Sequence, residues 1–348
     1  VPSQKNVITT YHHTEELRFE LDHNWLKFPD GNKIPSKADV QGLSEDPDSG
    51  DLYLTFASNE IKGHELGLPA VLVFDVNGNF IRQFAPEAHG GGHGIRFIKL
   101  HEEKFVFVTC VRTCKVYKYN AETGELLLTI SKPDFYGVRE FKPTNTAPFS
   151  DGRFAVTDGY RSNFILLYSK EGELLTWFDA SSNLKIAAFD QPHGISTFND
   201  DSLIITDRKN ERLVRVTVSG EYIDSFELSE RRHPCNVNIY GKGQDTQYLV
   251  PELWHSIGIY DSAFNLIKRI GDGENLHRVG NVCSNKSYSM RRALENSLLQ
   301  DSEIAPDSFL YPHDAIWTNK HSGKKGNILV GEWNYFRRGS GVTLIRFR

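Results

Sequence analysis

Three histidines stand at the same place in a recurring step: Gly92-His93-Gly94, Pro192-His193-Gly194 and Pro312-His313-Asp314. Between them the same step reads Val40-Gln41-Gly42, Pro143-Thr144-Asn145 and Pro234-Cys235-Asn236, so histidine falls on alternate occurrences. If each step opens the inner strand of a radial repeat, the imidazoles converge on one axis about 120° apart. Neutral imidazole nitrogens gathered at one point hold zinc well and leave a fourth position for water or substrate. A lone histidine among the 13 of this chain would more simply cap a strand or bond a carbonyl. The shared register is what favours a metal.

A second set of candidates follows each inner step by 14 to 19 residues, in loops that would face the same mouth. It comprises Asp158-Gly159-Tyr160-Arg161, Asp207-Arg208-Lys209-Asn210, Glu252-Leu253-Trp254 and Glu332-Trp333-Asn334-Tyr335. Tyr160 can act as a general base if a nearby cation or metal lowers a phenol pKa of about 10. Arg208 can clamp a carboxylate with two parallel N–H groups. For Asp158 and Asp207 the simpler reading is that they tie their loops through backbone hydrogen bonds. Trp254, Trp333 and Tyr335 read equally as a rim on which a ligand stacks or as packing between repeats.

The elements that must position these residues are short strands. Turns centred on Gly78, Gly124, Gly172 and Gly220 stand 46, 48 and 48 residues apart, and Ala263-Phe264-Asn265 continues the series. Each lies between two alternating strands, the pattern of a hairpin. Upstream of the hairpins, strands end in Leu54-Thr55-Phe56, Val108-Thr109-Cys110, Val156-Thr157-Asp158, Ile205-Thr206-Asp207, Leu249-Val250-Pro251 and Val330-Gly331-Glu332. Six occurrences predict six repeats of about four strands, and a repeat that cannot bury both faces alone must stack on its neighbours. The fold expected is therefore all-β, a six-bladed β-propeller over residues 1–348 as one domain. Glu16–Leu21 is expected to supply the outer strand that the last repeat lacks. Residues 271–307 interrupt the period as an insertion with a short helix over 288–300, or alternatively as a degenerate seventh blade.

Composition agrees. The 348 residues include 39% hydrophobic and 12% aromatic residues with one methionine, which favours ordered β structure over disorder. A net charge of -5 without a basic block argues against nucleic acid as the main partner. No apolar run approaches the ~18 residues of a membrane span. Four cysteines are too few for a disulfide scaffold; Cys110 and Cys114 could meet across a tight hairpin or remain free. Val1-Pro2-Ser3-Gln4 reads as an artificial boundary or as a mature end after a leader is removed. The second option gives an expectation of extracellular or periplasmic location.

Asp158-Gly159-Tyr160, Pro192-His193-Gly194, Asp207-Arg208-Lys209-Asn210-Glu211-Arg212 and Pro312-His313-Asp314 together resemble the peptidyl-α-hydroxyglycine α-amidating lyases, which are NHL-type six-bladed propellers. The resemblance covers roughly residues 38–348 and is strongest over 140–215. It implies a catalytic zinc on His93, His193 and His313, with Tyr160 as base and Arg208 holding a carboxylate or stabilising a tyrosinate. It also implies a structural calcium on the Asp314 side chain and the carbonyls of Val40 and Ile95. The implied substrate is a small-molecule or peptide-derived α-hydroxy compound, a carbinolamide split into an amide and glyoxylate by a monomeric enzyme. The chain departs from the family pattern in three places. Phe56-Ala57-Ser58 stands where a second arginine is usual, Tyr311 replaces a methionine, and Arg161 replaces a disulfide cysteine. Arg112, Arg161 and Arg96 are the candidates to supply the missing arginine, with Tyr311 and Trp333 as further substrate contacts. Two other readings stay open: a propeller hydrolase, lactonase or sugar lyase, and a non-catalytic NHL binding module.

Overall fold

The structure, a computed structural model, describes residues 19–28, 38–58, 67–179, 187–228, 232–271, 309, 311–318, 326–333 and 341–347. Strand β1 (Phe19–Asp22) belongs to the last blade. Blade 1 is β2 (Ala38–Glu45), β3 (Leu52–Ser58), β4 (Val71–Phe74) and β5 (Phe80–Phe84). Blade 2 is β6 (Gly92–Leu100), β7 (Glu103–Cys110), β8 (Lys115–Asn120) and β9 (Leu126–Ile130). Blade 3 is β10 (Asn145–Pro148), β11 (Phe154–Thr157), β12 (Ile165–Tyr168) and β13 (Leu174–Phe178). Blade 4 is β14 (Pro192–Asn199), β15 (Ser202–Asp207), β16 (Arg212–Thr217) and β17 (Tyr222–Glu227). Blade 5 is β18 (Asn238–Tyr240), β19 (Gln247–Glu252), β20 (Ser256–Tyr260) and β21 (Leu266–Ile270). Blade 6 is β22 (Pro312–Thr318), β23 (Asn327–Glu332) and β24 (Val342–Phe347), completed by β1. The protein is an all-β six-bladed propeller.

Burial explains the ring. Middle strands β4, β12 and β20 are buried at every residue, whereas outer strands such as β13 are largely exposed. The apolar side chains gather into six clusters, each spanning two adjacent blades. One cluster joins Leu43 and Leu52 of blade 1 to Ile316, Leu329 and Leu344 of blade 6, which closes the circle. Another packs Ile257 and Ile259 of blade 5 directly on Ala315, Ile328 and Val330 of blade 6, so no seventh blade separates them. The closing strand expected over Glu16–Leu21 is described over Phe19–Asp22, pairing Phe19 with Phe347 and Asp22 with Leu344; residues 16–18 lie outside the described residues. The helix expected over 288–300 lies outside the described residues. Among those described, no helix is long and apolar enough to cross a membrane.

The periodic threonines turn out to be locks between blades. Thr55, Thr109, Thr157 and Thr206 are fully buried, and each hydroxyl donates to a carbonyl of the next blade's inner step. Thr55 bonds the His93 carbonyl, Thr109 the Thr144 carbonyl at 2.9 Å, Thr157 the His193 carbonyl at 3.3 Å and Thr206 the Cys235 carbonyl at 3.4 Å. A repeat element visible in the sequence thereby fixes the backbone from which the histidines project.

The cysteines close one alternative. Cys110, Cys114 and Cys235 are free thiols. Cys110 closes β7, where its sulfur lies 3.4 Å from the Ala88 carbonyl and accepts the Thr113 amide at 3.3 Å. Cys114 sits at φ 57°, its sulfur 3.6 Å from the Val111 carbonyl. Each of these two thiols is thus engaged locally instead of with the other.

Candidate active site

The histidines project from irregularities at the start of β6, β14 and β22. The ladder register shifts between Gly92 and Ile95, between Pro192 and Ile195, and between Pro312 and Asp314. A bulge re-aims a side chain, and here it turns His93, His193 and His313 onto the axis. Their ring centroids form a triangle with all three sides 4.9 Å. One ligand nitrogen from each lies within 4.8 Å of the others, and all three residues are buried. Close approach needs glycine at the position after His93 and His193. A Cβ on Gly94 would meet Asn145 Oδ1 at 2.5 Å, and one on Gly194 would meet the Asn236 Cα at 2.5 Å.

The intervening blades orient the rings. His93 Nδ1 donates to the Thr144 carbonyl at 2.6 Å, His193 Nδ1 to the Cys235 carbonyl at 2.6 Å and His313 Nδ1 to the Gln41 carbonyl at 2.5 Å. The three acceptors are the middle residues of the steps that lack histidine. A proton held on Nδ1 leaves each Nε2 with a lone pair, the arrangement typical of metal-bound imidazoles. Burial drives His93 down to about 4 and His193 and His313 well below the usual imidazole value, with the Arg208 charge adding to the shift. All three rings are therefore neutral near pH 7.

Tyr160 reaches the same point from the loop after β11. Its hydroxyl lies 3.1 Å from His93 Nε2 and 2.9 Å from His193 Nε2, while His313 Nε2 is buried with no hydrogen-bond partner. One phenolic proton can satisfy only one of three converging lone pairs. That surplus of acceptors fits a bound cation, and the neutral all-nitrogen donor set fits zinc. Arg208 covers the other side, its guanidinium carbon 5.5 Å from the Tyr160 ring centroid. It is held by Gln191, whose Oε1 accepts the Arg208 Nε at 2.9 Å, and it lies 3.7 Å from the Cys235 sulfur. Burial raises the Tyr160 pKa and the Arg208 charge pulls it back.

The remaining candidates divide. Trp333 stacks on His313, centroids 4.5 Å apart and planes at 19°, with its indole N–H buried and unpartnered. Arg112 lies over Gly91, where a Cβ would stand 2.7 Å from the Arg112 Cβ, and donates to the His89 carbonyl at 2.7 Å. Tyr311 is buried, its ring 5.7 Å from that of His255 between centroids, and its carbonyl accepts the Trp333 amide at 2.9 Å. Arg161 points outward into an ion pair with Glu140, about half exposed. Asp158 accepts the Lys142 amide at 2.8 Å and the Tyr136 hydroxyl at 3.0 Å, and Asp207 accepts the Asp190 amide at 2.8 Å, which ties the loops. Tyr335 lies outside the described residues.

The set Val40, Ile95 and Asp314 does not fit calcium as these residues stand. Asp314 Oδ1 accepts Asn236 Nδ2 at 2.6 Å, Asn238 Nδ2 at 3.0 Å and the Ala315 amide at 2.8 Å. Its Oδ2 accepts the Leu43 amide at 2.9 Å and Arg96 at 3.4 Å. The Ile95 carbonyl is taken by the Arg96 guanidinium at 2.9 Å. Donors, not vacant lone pairs, surround the carboxylate. Burial pushes the Asp314 carboxyl up and Arg96 opposes that. Arg96 is accordingly a channel residue rather than the substrate arginine.

Residues that sequence reasoning passed over are Gln191, the thiol of Cys235, and Gln41. Gln41 occupies the bulge of β2 at the histidine register, and its Oε1 is buried without a partner. Its place in the recurring step was the available signal. Gln191 carried none, because its role depends on a left-handed turn at φ 68° just before β14.

No family model matches the chain. A Caenorhabditis elegans protein named as a probable peptidyl-alpha-hydroxyglycine alpha-amidating lyase is 28% identical over 163 residues, 40% of this chain and 46% of that relative. The chain thus matches under half of that relative's length. Among solved structures, a streptogramin B lyase superposes with a TM-score of 0.53 at 14% identity, covering 95% of this chain and 98% of that one. A gluconolactonase from Xanthomonas campestris superposes with a TM-score of 0.57 at 10% identity, covering 96% and 91%. At such identities the likeness is one of fold.

Proposed function

We propose that this chain is a lyase that breaks the C–N bond of a carbinolamide of the α-hydroxyglycine type, giving an amide and glyoxylate. The observation that carries the reading is the Tyr160 hydroxyl set between His93 Nε2 and His193 Nε2 with the Arg208 guanidinium over its ring. The name of the worm relative supports the same reaction class.

His93, His193 and His313 would hold a zinc ion, which when bound supplies Lewis-acid polarisation of the substrate hydroxyl. Tyr160 acts as the tyrosinate, its own proton given up to solvent before the substrate is seated: it takes the hydroxyl proton, the C–O bond becomes a carbonyl, and the electron pair of the C–N bond leaves with nitrogen. Tyr160 then returns the proton to that nitrogen, so atoms balance without water or a redox partner. Arg208 stabilises the phenolate that starts the cycle and is restored when the proton passes to nitrogen, and Gln191 keeps the guanidinium in place. Trp333 walls the mouth beside His313 by stacking on its ring. Arg112 is the candidate for the substrate carboxylate, since Gly91 gives it room at the edge of the His93 strand.

The test is elemental analysis of natively purified protein together with glyoxylate release from hydroxyglycine amides. Tyr160→Phe is expected to retain metal while losing about 10²–10⁴-fold in kcat. Metal-free native protein that releases no glyoxylate, or a fully active Tyr160→Phe variant, would sink the proposal.

A further inference from the structure

Below the triad the channel carries a second ring of polar groups that the reaction does not use. Arg96, third in β6 after His93, is buried, and its guanidinium turns inward. It donates to the Ile95 carbonyl at 2.9 Å, to Asn236 Oδ1 at 2.7 Å and to Asp314 Oδ2 at 3.4 Å. Asn145 Nδ2 joins the same Asn236 oxygen at 3.2 Å. Three oxygens from blades 2, 5 and 6 thus converge on one positive group. A carbonyl, an amide oxygen and a carboxylate gathered in this way are what a hard divalent cation such as calcium takes. Here the permanent charge and several N–H groups of arginine meet them instead.

We infer that the propeller carries its own axial cation, the Arg96 guanidinium, where a calcium ion would otherwise bridge the Ile95 carbonyl and the Asp314 carboxylate. Three consequences belong together. The fold is independent of calcium. Arg96 is a positioning residue for His93, because it pins the strand they share to blades 5 and 6. Removing the side chain uncovers oxygens that can bind a divalent cation. None of this depends on the chemistry at the mouth, so the inference and the proposed reaction fail separately.

The decisive measurement uses the wild-type chain: calcium content after native purification, and thermal unfolding in a calcium chelator against excess calcium. The expected result is no retained calcium and a melting temperature unchanged to within about 1 °C, since a ligand with no site stabilises nothing. About one calcium per chain, or a fall of several degrees in chelator, would overturn the inference. The second arm is Arg96→Ser, which leaves an uncompensated buried carboxylate and should melt well below wild type in chelator. Excess calcium should raise its melting temperature by about 5 °C, and Arg96→Lys should recover part of the loss without calcium. A folded Arg96→Ser variant that is indifferent to calcium would show that guanidinium and metal are not interchangeable here. If the variant does not fold, the wild-type measurement decides alone.

Discussion

At the residue scale, the mouth is organised by where protons are fixed. Three Nδ1–H groups are committed to the carbonyls of Thr144, Cys235 and Gln41, which leaves three Nε2 lone pairs and a single tyrosine hydroxyl facing one another. Arg208 depends on Gln191 for its orientation, so Gln191→Leu should lower kcat/KM about tenfold with metal content unchanged, the usual loss for one hydrogen bond to a charged group. An unchanged kcat/KM would show that Tyr160 packing alone holds the guanidinium. The histidines are legible in the sequence because they recur at one position in a repeated step. Gln191 and the Cys235 thiol are not, because their contacts arise from a left-handed turn and from the neighbouring blade. Arg96 escapes for a related reason. Sequence marks it as a basic residue near a histidine but does not say which way β6 turns it.

At the element scale, the threonine locks explain how short strands present side chains so consistently. Thr157→Val keeps the shape but removes the donor to the His193 carbonyl, and should cost about 1–3 kcal/mol by denaturant unfolding. The fifth hairpin turn shows tertiary packing overriding local preference. Gly124, Gly172 and Gly220 have φ of 77°, 90° and 90°, and the same role in blade 5 is taken by Phe264 at φ 61°. A bulky residue there is strained by about 1–2 kcal/mol. Its ring is buried and stacks on Tyr248 at 4.4 Å and Phe226 at 5.1 Å, a gain of about 3–5 kcal/mol. Packing wins, so Phe264→Gly should destabilise the protein by about 2 kcal/mol despite its easier backbone. A stabilised variant would mean that backbone strain outweighs the lost stacking. The sequence period marks this turn but does not show which residue takes the left-handed angle.

At the scale of the whole molecule, stability is a circuit of six interfaces between neighbouring blades. The repeat count and the closure by an N-terminal strand are readable from spacing, because a blade short of one strand must find it elsewhere in the chain. Deleting residues 1–22 should leave β24 as an open edge, lower the melting temperature by about 5 °C or more, and promote aggregation. A truncated chain that melts like the intact one would place the seam's strength in the cluster around Leu43 and Leu344 instead.

The alternation of histidine and carbonyl around the axis has one more consequence. His313 takes its orientation from Gln41, a partner 272 positions away across the point where the last blade meets the first. The ligand set is therefore complete only in a joined ring, and whatever binds at the mouth binds the joined form alone. Occupancy and closure are linked equilibria: each tenfold rise in free ligand above its Kd adds about 1.4 kcal/mol to the seam. Titrating the mouth then measures how often the circle opens.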